Sequence, residues 1–326
     1  MATPFIRYCL VIFSLAFITA CGDPLVAKIE NQISFVDIQL KNLAQRLDSG
    51  QVRNANLIKQ YAKQVKEIKP EHQALADELA RDATTSGPLY TSLLDRFDSA
   101  KRADLFPSNQ VRFDELNNLY QAASNELFND ALSDPLNVLA DLSGGELPRV
   151  SSISRAASIQ ANDAADFGAG SQLIGNPSYG QWSTASNGMS FWEWYGMYSL
   201  FSNLTNWGSN RLYYNDWSGR RNYSYYHDYG RSRYTSPKQL SKQTQIETKA
   251  KNFGGSKFKS AYAKSRTGAT GVSRSSHTAK NASKSFQSSY AKKSTSTASS
   301  KKSSGFGNSS FRSGSSGFSR SGFGGK

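Results

Sequence analysis

Residues 25 to 48 read LVAKIENQISFVDIQLKNLAQRLD. Within this stretch Val26, Ile29, Ile33, Val36, Leu40, Leu43 and Leu47 recur at alternating steps of three and four. Such steps bring side chains to one side of an α-helix, so the stretch predicts a long amphipathic helix. Ser49-Gly50 ends it, glycine being suited to the left-handed backbone that closes a helix. The same stripe fits the seam of a coiled coil, so a homo-oligomer built on Val26 to Leu47 is one reading. Against it, the seam lasts only about three heptads, and Phe35 and Ile38 add apolar surface off the stripe. The flanking Glu30, Gln32, Asp37 and Gln39 offer little charge pairing. A helix apolar on more than one side favours a bundle.

Further helical segments follow outward from this one. Residues 51 to 69 place Ile58, Tyr61, Val65 and Ile68 inward and Lys59, Lys63 and Lys66 outward, until Pro70 breaks the pattern. Glu71 to Ala83 resumes through Leu75 and Leu79 and stops at Ser86-Gly87-Pro88. Leu89 to Arg102 runs through Tyr90, Leu94 and Phe97. Ser108 is placed to cap a helix reaching about Leu132 through Leu116, Tyr120, Ala123 and Leu127. Asp134-Pro135 reads as a cap and first-turn proline for a short helix to Leu142. Ser143-Gly144-Gly145 and Pro148 close the region. Residues 25–145 thus predict an all-α, small up-and-down helical bundle with one modest core.

Upstream, Phe5 to Gly22 reads FIRYCLVIFSLAFITACG. One positive charge, Arg7, precedes an apolar run from Tyr8 to Phe17, and small residues follow. That is the layout of a secretory signal peptide over residues 1–20, and the run is too short to span a bilayer. Ile18-Thr19-Ala20-Cys21 resembles the lipobox of bacterial lipoproteins. The resemblance implies cleavage before Cys21, a diacylglyceryl group on its sulfur and acylation of its freed amine. Residues 21–24 would then be the lipid-anchor site and the membrane a partner. An ordinary signal peptide with an incidental cysteine is the alternative. Among such lipoproteins an aspartate directly after the cysteine disfavours the outer membrane. Here Gly22 comes first and Asp23 second, which leans toward the outer membrane.

Composition limits the rest. The only cysteines are Cys9, inside the leader, and Cys21, so a mature chain would carry no disulfide in an oxidising compartment. The net charge of +14 is unevenly spread. Gly22 to Pro148 holds 19 acidic and 13 basic residues, a balance of −6, whereas Arg149 onward holds 6 acidic and 25 basic, a balance of +19. That asymmetry predicts an ordinary globular part with a basic tail.

Residues 146–178 are rich in Ser, Ala, Gly and Asn and read as a linker, with a weak helical turn near Ala156 to Ala165. Residues 179–235 form an aromatic-rich segment holding all five tryptophans, Trp182, Trp192, Trp194, Trp207 and Trp217. Phe191, Trp194, Tyr198 and Phe201 follow a helical step, so FWEWYGMYSLF predicts an amphipathic helix. Beyond it, tyrosine pairs flanking Asn215-Asp-Trp-Ser-Gly219 give a weak hairpin signal. Trp192, Trp194, Tyr198, Trp207 and Trp217 are the candidate ligand or interface aromatics. Three readings stand for them: a platform stacking on glycan rings, an element at a membrane interface, or cover for the bundle with a small second core. From Ser236 to Lys326, 18 basic residues meet a single acid, Glu247, among Ser, Gly, Lys and isolated aromatics. So few buriable groups cannot offset the ordering entropy, so a long disordered cationic Ser/Gly/Lys low-complexity tail is expected. Its Ser-Gly-Phe-Gly-Gly ending resembles the tails of YgiB-like bacterial lipoproteins.

Catalytic chemistry is not signalled. His72, His227 and His277 lie in separate regions without zinc-ligand spacing, and His227-Asp228 reads as a solvated loop pair. No nucleophile elbow, phosphate loop or dinucleotide fingerprint occurs. The carboxylates of Asp77, Glu78, Asp82, Asp114 and Glu115 are expected on hydrated bundle faces. A non-enzymatic envelope protein without cofactor or metal is therefore expected. Its tail would attract anionic envelope polymer: lipopolysaccharide, peptidoglycan or teichoic acid. Export makes nucleic acid a poor candidate, and a glycan-binding module built on the Trp/Tyr-rich segment is the alternative function.

Overall fold

The computed structural model describes residues 23–150, 165–204, 211–252 and 275–276. They are mostly helical. The first helix, α1 (Pro24–Asp48), is capped by Asp23, whose carboxylate accepts from the Leu25 amide at 3.0 Å. The carboxylate also accepts from Asn109 Nδ2 at 2.7 Å. These bonds hold the Asp23 carboxyl below its ordinary range. At the far end Gly50 adopts φ +71°, and the Gln51 amide returns to the Arg46 carbonyl at 2.8 Å. Ile29, Val36, Leu40, Leu43 and Leu47 are buried, so the stripe is spent within the chain, chiefly against the helix that follows Ser108. Val26, at the start of the stripe, stays exposed, as do Phe35 and Ile38.

Next come α2 (Arg53–Ile68), a 3₁₀ turn at Pro70–His72, α3 (Gln73–Arg81) and α4 (Pro88–Ala100). Ile68, expected inside, is exposed at the end of its helix. The segment expected as one helix from Ser108 to about Leu132 is two, α5 (Asn109–Ala122) and α6 (Asn125–Ala131). Ser124 interrupts it by accepting from the Leu127 amide, a cap that opens a second helix. The last bundle helix, α7 (Ser133–Leu142), starts one residue before Asp134. Asp134 does not cap it; its carboxylate serves a distant segment.

The all-α expectation needs correcting in the aromatic-rich segment. FWEWYGMYSLF is not one helix: β1 (Gly180–Thr184) and β2 (Ser190–Trp194) form an antiparallel hairpin with Trp182 opposite Trp192. A 3₁₀ helix follows at Gly196–Asn203. Cross-strand pairing of large rings outweighs the weak helical period. The second hairpin signal is also overturned, since Tyr214–Ser218 forms a short helix, α8, that drops Trp217 into the interior. A single turn of π-helix covers Tyr226–Gly230.

Two segments expected to lack a core role have one. Residues 167–178 of the presumed linker are almost wholly buried, around Phe167, Leu173 and Ile174. Gly168, Gly170 and Gly175, all at positive φ, fold this short apolar stretch back on itself. At the start of the presumed tail, α9 (Pro237–Asn252) is helical, with Ser236 and Gln239 capping its first turn reciprocally. Further on, Ser276 is buried and bonded to Asp130, with Tyr225 Oη 3.2 Å from its hydroxyl. The other tail residues, the helical turn expected near Ala156, the leader and Cys21 lie outside the described residues.

The main core joins the bundle leucines to Leu173, Tyr179, Tyr198, Phe201 and the tyrosines between Tyr223 and Tyr234. A smaller core gathers Phe167, Ile174, Trp182, Trp192, Leu212, Trp217 and Ile246. No helix among the described residues is long and apolar enough to cross a membrane.

Candidate functional site

A groove of about 1060 Å³ runs between α4, the corner at Leu105–Pro107, the hairpin and the start of α9. Its accessible chemistry is hydroxyl and amide: Thr91, Ser92, Ser178, Gln181, Gln239 and Gln245 contribute, with Lys238, Lys242 and Asp95 as charges. Tyr195 stands on its wall with 42% of its surface exposed, its backbone N–H donating a hydrogen bond to the Tyr179 carbonyl at 2.9 Å. Partial burial and nearby Glu193 raise the Tyr195 phenol above its ordinary range.

The groove floor is an ion pair. Arg96 Nε donates to Glu115 Oε1 at 2.7 Å and Nη2 to Oε2 at 2.9 Å. Its remaining nitrogen, Nη1, donates to the Arg233 carbonyl at 2.6 Å, tying the helices to the chain before α9. Arg96 is 6% exposed and Glu115 1%. Burial raises the Glu115 carboxyl, and the adjoining guanidinium opposes that rise.

Outside the groove lining, two further buried carboxylates have raised pKa values. Asp82 accepts from the Tyr198 hydroxyl at 3.0 Å and is pushed up to about 8, chiefly by burial. Asp134 accepts from the Tyr225 and Tyr226 amides at 2.7 and 3.0 Å and is pushed up to about 7, again chiefly by burial. It thereby caps the π-turn from a different helix. Glu78, Asp82 and Glu115 correct the expectation of hydrated bundle faces: each is buried, and each is bonded to Arg81, Tyr198 or Arg96. Asp77 does lie on the surface, paired with Lys66.

His227 is not a solvated loop residue. Its ring packs 4.9 Å from Trp217 and 4.7 Å from Tyr226, and Nε2 is 2.9 Å from the Ile174 carbonyl. A carbonyl only accepts, so Nε2 carries the proton. Burial, chiefly, holds this histidine well below its ordinary range and so neutral. Among the described residues no three His, Cys, Asp or Glu side chains are grouped to hold a metal ion.

The candidate aromatics are brought together, but inward. Trp192 and Trp217 both contact Trp182, at ring separations of 5.3 and 5.2 Å, inside the smaller core. Tyr198 lies in the main core, 4.8 Å from Tyr179. Trp194 bridges the cores, half-buried, 5.5 Å from Trp192 and 5.2 Å from Phe201. Trp207 lies outside the described residues. Among the described residues of the aromatic-rich segment the most exposed ring is Tyr195, which sequence reasoning passed over. One signal was present for the groove floor: Arg96 and Glu115 fall in step with the apolar residues of their helices, Leu93, Ala100, Val111 and Leu119. A charge on a buried stripe demands a partner.

The groove offers hydrogen bonds, two ammonium groups and one phenol ring. Its ion pair is fully engaged, with all three Arg96 nitrogens and both Glu115 oxygens bonded. No family model matches the sequence, and neither a curated protein nor a solved structure matches it.

Proposed function

We propose that the chain is a non-catalytic lipoprotein of a bacterial envelope, anchored through acylated Cys21, whose folded body carries a cationic arm toward anionic envelope polymer. The observation that carries this reading is charge placement behind a lipobox. Beyond Asn252 the sequence has fourteen basic residues and no acidic one, while the bundle region is net acidic. Support also comes from the start of the fold: Asp23 already caps α1, so only Gly22 separates Cys21 from the folded body. Three acyl chains would make release negligible, since each buried methylene contributes about 0.8 kcal/mol. The outer membrane is the favoured address, on Gly22 and Asp23. Intact-mass measurement of the envelope-extracted protein tests the anchor; a free Cys21 thiol or a retained leader refutes it. For the arm, retention of the protein on lipopolysaccharide should fall steeply between low and high salt, because counterions are released on binding.

A second reading is favoured by one observation, the exposed Tyr195 ring beside the hydroxyl- and amide-lined groove. Stacking of that ring on sugar faces, with Gln181 and Gln239 bonding hydroxyls, would make the groove a glycan site. Tyr195→Ala should then weaken retention on peptidoglycan fragments without changing the melting temperature. Equal retention by both proteins rejects the glycan site and leaves the anchor reading intact.

A further inference from the structure

The buried stripe of α1 faces the bundle, and the opposite side of the same helix carries a second pattern. Ala27, Asn31, Phe35, Ile38, Asn42 and Gln45 follow one another at steps of three and four and are all exposed. Phe35 and Ile38, at its centre, are 56% and 55% exposed. No acid lies on this face. Lys28 and Arg46 border one side of it, both exposed, while Glu30, Asp37 and Asp48 fall on the other flank, where Asp37 is paired with Lys41. The face is thus apolar at the middle, uncharged along its length and basic at one edge.

We propose that this face of α1 rests on the lipid surface to which Cys21 tethers the chain, so that the helix lies flat along the membrane with the bundle above it. The proposal rests on the anchor reading given above. Its occupant follows from the length of chain outside the fold. Cys21 and Gly22 span roughly 7 Å even when fully extended, so the first turn of α1 cannot leave the headgroup region. A helix standing upright from that point would lift Phe35 about 17 Å clear of its own first turn. Lying flat, it brings Phe35 and Ile38 to the interface and Lys28 and Arg46 to anionic headgroups, an arrangement typical of interfacial helices.

A second copy of the chain is the competing occupant, and area decides against it. Two such patches facing each other would bury on the order of 400 Å² of apolar surface. Stable interfaces bury about 1,200 Å² or more. A tethered helix needs far less, because the acyl chains supply the attachment and the two side chains only select which side is turned down.

The test uses the acylated full chain in vesicles of phosphatidylethanolamine and phosphatidylglycerol. Acylation leaves Cys21 without a reactive thiol, so Phe35→Cys, Ile38→Cys and a control, Lys63→Cys on α2, each carry one nitroxide label. Flotation of the vesicles reads the anchor. Collision of each label with lipid-soluble oxygen and with a water-soluble nickel chelate reads the face. Labels at 35 and 38 should collide more with oxygen than with nickel, and the control should show the reverse order. Flotation with all three labels open to nickel overturns the proposal while leaving the anchor in place. Loss of flotation overturns both. Protection of the labels at 35 and 38 without vesicles, growing with protein concentration, assigns the face to a second copy and overturns the proposal.

Discussion

The Tyr198 hydroxyl donates to Asp82 at 3.0 Å, joining the 3₁₀ helix after the hairpin to the end of α3 through a carboxyl with no solvent exposure. Burial is the largest influence on that carboxyl; the hydrogen bond from Tyr198 and the nearby Tyr179 hydroxyl oppose it, and Glu78 adds to it. Its folded pKa is about 8 against an ordinary 3.8, so between these values the folded state keeps a proton that the unfolded chain gives up. Stability from this group is fully present below about pH 4 and is lost as pH rises through 8, by up to about 1.4 kcal/mol per pH unit. Asp134 acts in the same direction with a folded value of about 7. Asp82→Asn should therefore lose less stability than the parent between pH 5 and pH 8. Urea midpoints at several pH values measure this, and parallel curves for the two proteins would refute it.

Arg96 and Glu115 form a buried ion pair, and here the expected effect is asymmetric. Glu115→Ala leaves a buried guanidinium without its carboxylate and should cost about 3–5 kcal/mol in denaturant unfolding. Replacing both partners, Arg96→Met with Glu115→Leu, removes the unpaired charge and should cost less than either single change. A double variant weaker than both singles would show that the pair itself, with the bond to the Arg233 carbonyl, stabilises the fold beyond its desolvation cost.

Two glycines separate packing from backbone strain. Gly170 has φ +83°, and a Cβ there would lie 2.5 Å from the ring of Phe201, which is fully buried and stacked on Tyr198. Gly188, in the hairpin turn, has φ +79° with nothing within 4 Å of an added Cβ. Gly188→Ala should cost about 1 kcal/mol through backbone strain alone. Gly170→Ala adds overpacking and should cost about 2 kcal/mol more. Equal thermal shifts for the two variants would mean that Phe201 gives way.

How much of this was legible follows from how local each cause is. The stripe from Ile29 to Leu47, the break at Pro70 and the cap at Ser108 are decided within one or two turns of chain, and they stand in the structure. The failures have distant causes. Asp134 looked like a helix cap because proline follows it, yet its carboxylate is taken by amides 91 and 92 residues away. Trp194 and Tyr198 share a helical step, but Trp182 pairs with Trp192 across a turn and draws the first half into a strand. The burial of 167–178 depends on glycines whose left-handed backbone is set by what packs on them. Of the site, the aromatic character was visible and its direction was not. Tyr195 became the exposed ring only because its neighbours turned inward.

The hairpin gives the sharpest test of that inward packing. Trp182 and Trp192 are cross-strand partners with rings 5.3 Å apart and steeply tilted, and both are buried beside Trp217. A ring serving as a ligand platform is replaceable at little cost in stability, whereas a core ring is not. Trp192→Ala should therefore destabilise the fold by about 3–5 kcal/mol, as large-to-small changes in a core do. Trp182→Ala should do the same, and the double variant should cost less than the sum. The coupling, about 0.5–1.5 kcal/mol, is the direct ring–ring contribution. Trp194→Ala, at a half-buried ring between the two cores, should cost less than either. The emission of Trp182, Trp192 and Trp217 should resist iodide, and that of Trp194 should be quenched in part. Strong quenching of all five tryptophans, or a Trp192→Ala variant melting with the parent, would return the aromatic segment to the surface and reopen it as a platform.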